Sequence, residues 1–212
     1  MPRCLFFENV KGLLHHEQGK TFATIIRTLD ELGYDCQWQV LNSSDFKLPQ
    51  NRERIYIIGT FRGTPRPEVF PFGKESAGHS LPRKRNLNTP TVKIREASKQ
   101  GYAVAEVGDS IETSFPNSKH RRGRIGKGYA HTLVTGMGIC TLTKEGRIRK
   151  LTPLECERLQ GFPDGWTKEG LDEKGHAVNM SDTQRYKCLG NAVSTPVIDA
   201  IAKKLLQSLG LL

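Results

Sequence analysis

The sequence lacks long hydrophobic runs, paired cysteines and a high aromatic content. No apolar run approaches the length that spans a membrane, and no signal-peptide pattern opens the chain, so we expect neither insertion nor export. The odd set of five cysteines contains no CxxC pair: Cys4, Cys36, Cys140, Cys156 and Cys188. This pattern excludes the usual zinc and disulfide frameworks, and it favours a reducing cytoplasm and no metal site.

Acidic residues are also scarce relative to basic ones. Asp and Glu total 22 against 32 Lys and Arg, which leaves a formal net charge of +10 over 212 residues. An excess of this size is typical of proteins that neutralise phosphates or lie on anionic membranes. Because no membrane-spanning segment is present, nucleic acid is the better partner. A hydrophobic content of 36% is enough to fill a core.

The first sixty residues carry an α/β pattern. Leu5-Phe6-Phe7 is a short apolar run, as in a strand buried on both faces of a parallel sheet. Apolar residues then recur at helical spacing from Phe22 to Leu32, and Gly33 follows as a stop signal. Two strands are predicted next, at Cys36–Val40 and Ile55–Gly59. The order strand, helix, strand, strand predicts an α/β fold.

The character of the chain changes at about Pro65. Prolines, glycines and basic clusters such as Arg83-Lys84-Arg85 fill the stretch to about residue 130, which predicts a loop-rich, mostly β domain. Further helices are predicted to begin at Thr152, Ser181 and Thr195. Thr152 opens a capping box with proline at the first helical position. We therefore expect three segments: 1–64 in one α/β domain, 65–180 in a second domain, and 181–212 returning to the first.

Four short segments carry side chains suited to chemistry. Each segment also has an ordinary structural interpretation. Glu8-Asn9-Val10 can be a turn cap, Gln50–Arg54 a solvated charged loop, Arg149–Pro163 a capped helix, and Gly190–Val193 a helix–helix turn. Three of them also have a functional interpretation: Glu8 lies beyond a strand end where a ligand would bind, Arg52 and Arg54 could grip an oxygen, and Gly190–Val193 offers backbone amides at a helix start. The chemistry of Arg149–Pro163 by itself indicates no function. Separately, these readings stay open.

In this order the four segments resemble the ENV, QxRxR, RxLTxxExxRLQGFP and GNxV motifs of the DNA cytosine-5 methyltransferases. The stretch SKHRRGRIGKGYAHTLVTG, residues 118–136, is similar to the end of that family's target-recognition domain. The resemblance implies the second half of a Rossmann-like methyltransferase domain plus a smaller target-recognition domain. It implies methyl transfer from S-adenosylmethionine to C5 of a flipped cytosine in duplex DNA, as in restriction-modification systems.

The resemblance also assigns roles to particular residues. Glu8 is expected to contact N3 and the amino group of the cytosine, Arg54 to grip its O2, and Arg52 to support the site or the backbone. Cofactor contacts are expected from Asn191, Ala192 and Val193. DNA contacts are expected from Arg121, Arg122, Arg124, Lys127 and Thr132, with Gly136 and Gly138 allowing close backbone approach.

The chain departs from the family pattern in two ways. It contains no FxGxG loop for the cofactor, and no cysteine follows a proline. Cys36 lies in a strand pattern after the ENV segment and is interpreted as structural. We therefore expect an incomplete S-adenosylmethionine pocket, an inactive isolated chain, and either a partner polypeptide that supplies the N-terminal half or self-association. The alternative is a non-catalytic DNA-binding remnant.

Overall fold

The computed structural model describes residues 1–73, 89–136 and 138–212. The chain forms two compact units. The first comprises Met1–Phe46, Glu53–Ser76 and Pro196–Leu212, and the second comprises Lys47–Arg52 and Ala77–Thr195. The units differ from the predicted division at three places: residues 47–52 and 181–195 belong to the second unit, and residues 65–73 belong to the first. The basic cluster Arg83–Arg85 lies outside the described residues.

The first unit is an α/β arrangement. Its sheet contains β1 (Cys4–Val10), β2 (Tyr34–Asn42) and β3 (Glu53–Phe61), with α1 (Lys20–Glu31) between β1 and β2. The predicted helix and both later strands are present, each slightly longer than the pattern indicated. The last helix, α4 (Thr195–Ser208), contributes Val197 and Ile201 to this unit's core.

Strand β1 differs from its prediction. It pairs antiparallel with β3, and β3 also pairs antiparallel with β2, so the strand order is β1-β3-β2. Phe6 and Phe7 are 40% and 42% exposed, so the strand is not buried on both faces among the described residues. A short apolar run does not encode strand direction, and antiparallel β3 follows β2 through a loop rather than a crossover helix.

The core of the first unit lies on one face of this sheet. Tyr56 and Ile58 of β3 alternate with residues of the opposite face, and they pack against Leu41, Val69 and α4. On the other face, Phe22 of α1 makes an edge-to-face contact with Trp38, with ring centroids 5.2 Å apart. Within the described residues, a helix thus packs against part of each face of the sheet, and alternating strand residues supply the contacts on both faces.

In its described residues, the second unit is mostly β with two α-helices. A four-stranded antiparallel sheet has the order β7-β6-β8-β9, and β4 and β5, like β10 and β11, form two-stranded sheets. The strands are β4 (Thr91–Arg95), β5 (Tyr102–Glu106), β6 (Ser110–Glu112), β7 (Ile125–Gly126), β8 (Ile139–Leu142), β9 (Ile148–Lys150), β10 (Glu169–Leu171) and β11 (Ala177–Asn179). Short strands joined by long loops match the composition of this region.

Helices α2 (Pro153–Gln160) and α3 (Asp182–Asn191) begin where the sequence predicts. Both carry complete capping boxes, with Thr152 and Ser181 as the N-cap residues. The buried residues Leu133, Ile139, Cys156 and Leu189 join these helices to the sheet through one apolar cluster. Within the described ranges, no helix is long and apolar enough to cross a membrane.

Candidate active site and nucleic-acid interface

Glu8 and Arg54 form an ion pair on neighbouring strands. Glu8 of β1 lies opposite Tyr56, and Arg54 of β3 lies opposite Val10, so the two charged side chains are diagonal neighbours on one face. Arg54 Nε is 3.0 Å from Glu8 Oε1, and the two side chains are 14% and 23% exposed. The antiparallel register therefore brings together two residues that are 46 positions apart in the sequence.

The pair combines a carboxyl group with a permanently charged guanidinium. A carboxyl can accept a hydrogen bond with one oxygen and, when protonated, donate one with the other, whereas a guanidinium only donates. This combination can recognise a planar ring edge with adjacent donor, acceptor and carbonyl groups. Nearby, Lys11 and Glu53 form a second, more exposed ion pair at 3.0 Å.

Arg52 has a different environment from Arg54, although only Glu53 separates them. It is 4% exposed and belongs to the second unit. Its guanidinium donates to the carbonyl oxygens of Leu133 at 3.2 Å and Ala192 at 2.8 Å, and more weakly to that of Gly190 at 3.5 Å. The guanidinium thus holds the backbone, which favours the supporting role over direct contact with a base.

Two buried glutamines extend this support, and the sequence reasoning gave them no role. Gln50 and Gln160 are fully buried. Gln50 donates to Leu159 O at 2.9 Å and accepts from Leu133 N at 3.0 Å. Gln160 donates to Leu189 O at 2.9 Å. Both glutamines lie inside the charged motifs singled out in the sequence, Gln50–Arg54 and Arg149–Pro163. A single sequence does not reveal that their amide groups are buried.

The predicted cofactor segment follows the end of α3. Asn191 is exposed, while Ala192 and Val193 are half-buried. A Cβ on Gly190 would lie 2.6 Å from backbone atoms of Val134 and Thr135, so only glycine permits this close approach. Arg52 occupies the carbonyls of Gly190 and Ala192, which leaves the Asn191 amide and the Val193 side chain for a ligand. These groups fit one wall of a site for a ligand with apolar and polar parts.

Three of the predicted DNA contacts are exposed or half-exposed cations. Arg122 is exposed and donates through Nε to Ala97 O at 2.7 Å. Lys127 is 56% exposed and lies 3.0 Å from Asp109. Arg121 forms an ion pair with Glu112. Each cation has an acidic or carbonyl partner within its own unit, and each remains accessible to phosphate.

Arg124 is corrected from a DNA contact to a structural residue. It is 3% exposed, and its guanidinium donates to the carbonyls of Glu112 at 3.2 Å, Ser114 at 3.0 Å and Phe115 at 2.6 Å. A guanidinium held in this way is unavailable to phosphate. The sequence did not reveal that Arg124 is buried while Arg121 and Arg122 are accessible, because a pattern of charges does not encode burial.

The remaining residues that were predicted to contact DNA also differ in their exposure. Thr132 is half-buried and donates its hydroxyl to Asn51 O at 2.7 Å. Gly136 is exposed with open space around it, whereas Gly138 is buried, and a Cβ there would lie 2.0 Å from Ser114 Oγ. The close approach at Gly138 is therefore made to the protein itself. Met137, between them, lies outside the described residues.

The cysteines with shifted thiol pKa values are poorly suited to nucleophilic attack. Burial raises the pKa of the Cys36 thiol, and the carboxylates of Asp35 and Asp30 raise it further. Burial raises the pKa of Cys156 to about 12. Catalytic thiols require the opposite shift. Among the described residues, no group of three or more His, Cys, Asp or Glu side chains is placed to hold a metal ion.

Comparison with known proteins agrees with this geometry. Residues 1–77 and 73–207 match the family described as C-5 cytosine-specific DNA methylase. Type II methyltransferase M.HpaII of Haemophilus parainfluenzae is 33% identical over 232 residues, covering 99% of this chain and 62% of the relative. Type II methyltransferase M1.ScrFI of Lactococcus lactis subsp. cremoris is 32% identical over 231 residues, covering 98% and 52%.

A solved structure shows the same fold. The S. pombe Dnmt2 methyltransferase aligns with a TM-score of 0.59 at 16% sequence identity, covering 98% of this chain and 66% of that one. The chain thus spans about half to two thirds of the length of the proteins it matches, on their C-terminal side. Together with the ordered motifs, these matches show that the chain belongs to the C-5 cytosine-specific DNA methylase family.

Proposed function

We propose that this chain forms the base-reading and DNA-reading part of a DNA cytosine-5 methyltransferase. The observation that carries the proposal is the ion pair of Glu8 and Arg54, which are largely buried and lie 3.0 Å apart on one sheet face. The relatives in the family are named Type II methyltransferases, which supports a DNA substrate. The substrate is a cytosine flipped out of duplex DNA into this site.

Glu8 and Arg54 recognise the ring by complementary hydrogen bonds. When it is protonated, the Glu8 carboxyl donates to cytosine N3 and accepts from the amino group, while Arg54 donates to O2. As a thiolate adds to C6, negative charge develops on the ring. The proton of Glu8 and the fixed charge of Arg54 stabilise it at N3 and O2.

The second unit provides the DNA contacts. Arg121, Arg122 and Lys127 neutralise phosphates, and Thr132 contacts the backbone, so these residues position the duplex without reading its sequence. Gly136 lies in open space, which allows the backbone to approach the DNA there. Arg52 acts as a positioning residue, since it ties Leu133 and Ala192 to the segment that precedes Arg54.

The cofactor expected for the family is S-adenosylmethionine, which supplies the methyl group when it is bound. In this chain Asn191 and Val193 would hold one side of it, with Ala192 as the backbone contact between them. The Asn191 amide is suited to a polar group of the cofactor, and Val193 to an apolar surface. The remaining walls of the pocket come from residues outside these 212.

The nucleophilic thiol also comes from another segment, on the same or a separate polypeptide. No Pro-Cys pair occurs in the chain, and burial raises the pKa values of Cys36 and Cys156. The exposed apolar residues Phe6 and Phe7 on β1 are the surface on which an N-terminal methyltransferase half would pack. The alternative is a protein that binds DNA without modifying it.

Transfer of labelled methyl groups from S-adenosylmethionine to duplex DNA tests the proposal. The chain is assayed alone and mixed with the N-terminal half of a relative such as M.HpaII. We expect transfer in the mixture and none from the chain alone. Glu8→Gln and Arg54→Lys should abolish it, while Lys203→Ala, which removes an exposed ion pair in the same unit, should leave it unchanged.

Two other results would contradict parts of this assignment. Transfer by the chain alone would show that it holds its own nucleophile, and Cys36 and Cys188 would then be substituted in turn. DNA binding without transfer in any mixture, including mixtures with several N-terminal halves, would favour the non-catalytic reading.

A further inference from the structure

Phe115 is an exposed aromatic residue in a backbone conformation that aromatic residues rarely adopt. Its side chain is 72% exposed, and its φ of 51° lies in the left-handed region. Left-handed backbone in a non-glycine residue persists only where the surrounding structure enforces it, and such positions cluster at functional sites. The loop therefore directs a large apolar ring into solvent.

A buried arginine enforces this conformation. The Arg124 guanidinium donates to Glu112 O, Ser114 O and Phe115 O, at 3.2, 3.0 and 2.6 Å. Phe115 O also accepts from Ser118 N at 3.0 Å, which closes a turn directly after the ring. The backbone on both sides of Phe115 is thus held by hydrogen bonds.

Gly138 anchors the base of the same loop. Its carbonyl oxygen accepts from the Thr113 amide at 2.6 Å and the Thr113 hydroxyl at 2.9 Å. Glu112 accepts from Ser114 N at 2.6 Å, and a Cβ on Gly138 would collide with Ser114. The loop is consequently rigid before any ligand binds, which lowers the entropic cost of binding through Phe115.

Basic residues predominate in the chain segment around Phe115, although Arg121 pairs with the carboxylate of Glu112. Residues 113–128 contain five Lys and Arg residues and no Asp or Glu. The Arg121 guanidinium lies over the Phe115 ring, 5.3 Å from its centroid, and a shallow cavity beside the ring is lined by Pro116, Asn117, Ser118 and Arg121. An apolar ring among cations suits a polyanion that also offers flat apolar surfaces.

We propose that Phe115 is a wedge that inserts between stacked bases of duplex DNA. The ring stacks on a base or partially unstacks a base step, while Arg121 and Arg122 contact the flanking phosphates. The inference rests on the proposed DNA substrate and adds to it a residue that favours deformable base steps.

Binding of the full chain to two labelled duplexes tests the wedge. The duplexes are identical except that one carries a single mismatched base pair, which is already partly unstacked. The wild-type chain should bind the mismatched duplex more tightly, because less stacking is lost on insertion. Phe115→Asn removes the ring but suits the left-handed backbone, and it should weaken binding roughly tenfold and remove the preference.

Two control variants distinguish an effect of the Phe115 ring on DNA binding from an effect on folding. Phe115→Trp should keep both the affinity and the preference, and Leu171→Ala, which changes an equally exposed apolar residue of the same unit, should change neither. Equal binding by wild type and Phe115→Asn, with the same preference, would overturn the proposal. So would loss of self-association in Phe115→Asn with DNA binding intact, since that result assigns the ring to a protein contact.

A wild-type chain that binds neither duplex at low salt would overturn the proposed function together with the wedge. A chain that binds DNA but does not depend on Phe115 would overturn the wedge alone. The two failures are therefore distinguishable in one titration series.

Discussion

At the scale of single residues, two arginines on either side of Glu53 have separate tasks. Arg52 is 4% exposed and bonds to carbonyl oxygens of the second unit, whereas Arg54 pairs with Glu8 on the sheet of the first unit. Residues two positions apart share one face of an extended chain only where the extension is regular. Here the strand begins at Glu53, so Arg52 precedes it and belongs to a different unit.

Matched lysine substitutions should separate these tasks. Arg52→Lys loses the fork that reaches several carbonyls at once, so we expect a loss of about 2 kcal/mol in the free energy of unfolding. Arg54→Lys keeps its charge near Glu8 and should cost about 1 kcal/mol or less, yet lose methyl transfer in the complemented assay. Urea unfolding and the transfer assay measure the two effects. Equal stability losses for the two variants would contradict the distinction.

Single-residue roles were only partly predictable. The resemblance selects Glu8 and Arg54, and the register of β1 and β3 places them together. Arg124 was assigned to DNA because it lies in a run of arginines, and it is buried instead. Gln50 and Gln160 received no role. Burial depends on residues far away in the chain, such as Leu133 and Leu189, and no local pattern carries that information.

At the scale of elements, local signals were reliable where they involve neighbouring residues. In α2, Thr152 caps the helix by accepting from Glu155 N at 3.2 Å, and Glu155 accepts from Thr152 N at 2.7 Å. Arg149 adds two hydrogen bonds to the same carboxylate, both 2.8 Å. These bonds, led by those from Arg149, lower the pKa of Glu155 to about 2.

This lowered pKa predicts a pH-dependent contribution to stability. The folded-state pKa of Glu155 lies below its unfolded value, so its contribution is present above about pH 4.5 and is lost as the pH falls towards 2. Glu155→Gln should reduce the free energy of unfolding by about 1 kcal/mol near pH 7, a small value because the carboxylate is partly exposed.

The difference between wild type and Glu155→Gln should shrink as the pH is lowered. Denaturant titrations over this pH range measure it, and Glu173→Gln is a control on an exposed loop glutamate. A difference that stays constant with pH would show that the amide and the carboxylate act only through the capping geometry.

At the scale of the whole molecule, the first unit exposes apolar surface on both faces of its sheet. Phe6 and Val10 lie on one face and are 40% and 51% exposed, while Phe7 and Trp38 lie on the other at 42% and 44%. Within the described residues β1 pairs with β3 alone, which leaves one strand edge open. Apolar surface next to an open edge favours association with another chain or segment.

We expect the isolated chain to self-associate through β1. Phe7→Lys replaces an exposed ring with a charge at the strand edge and should weaken the association at least about tenfold. Leu171→Lys, at an exposed site in the other unit, should have little effect. Sedimentation velocity over a concentration series measures both. A monomeric wild-type chain would show that β1 is covered by other means.

An N-terminal methyltransferase half should compete with this self-association. If both occupy β1, adding that half should convert oligomers into a one-to-one complex, and Phe7→Lys should weaken the complex as well. Oligomers that persist in the mixture would place the self-association surface elsewhere.

Features that depend on neighbouring residues or on motif order could be predicted from the sequence: the family, the capped helices, the α/β start and the loop-rich β region. Capping boxes, glycine stops and alternation act within a few residues, so a linear pattern contains them. Only the folded structure reveals the antiparallel placement of β3 between β1 and β2 and the burial of Arg52 and Arg124. It also assigns residues 47–52 and 181–195 to the second unit and residues 65–73 to the first. These features depend on which distant groups satisfy each buried donor and each strand edge, and that pairing is settled only when the chain packs.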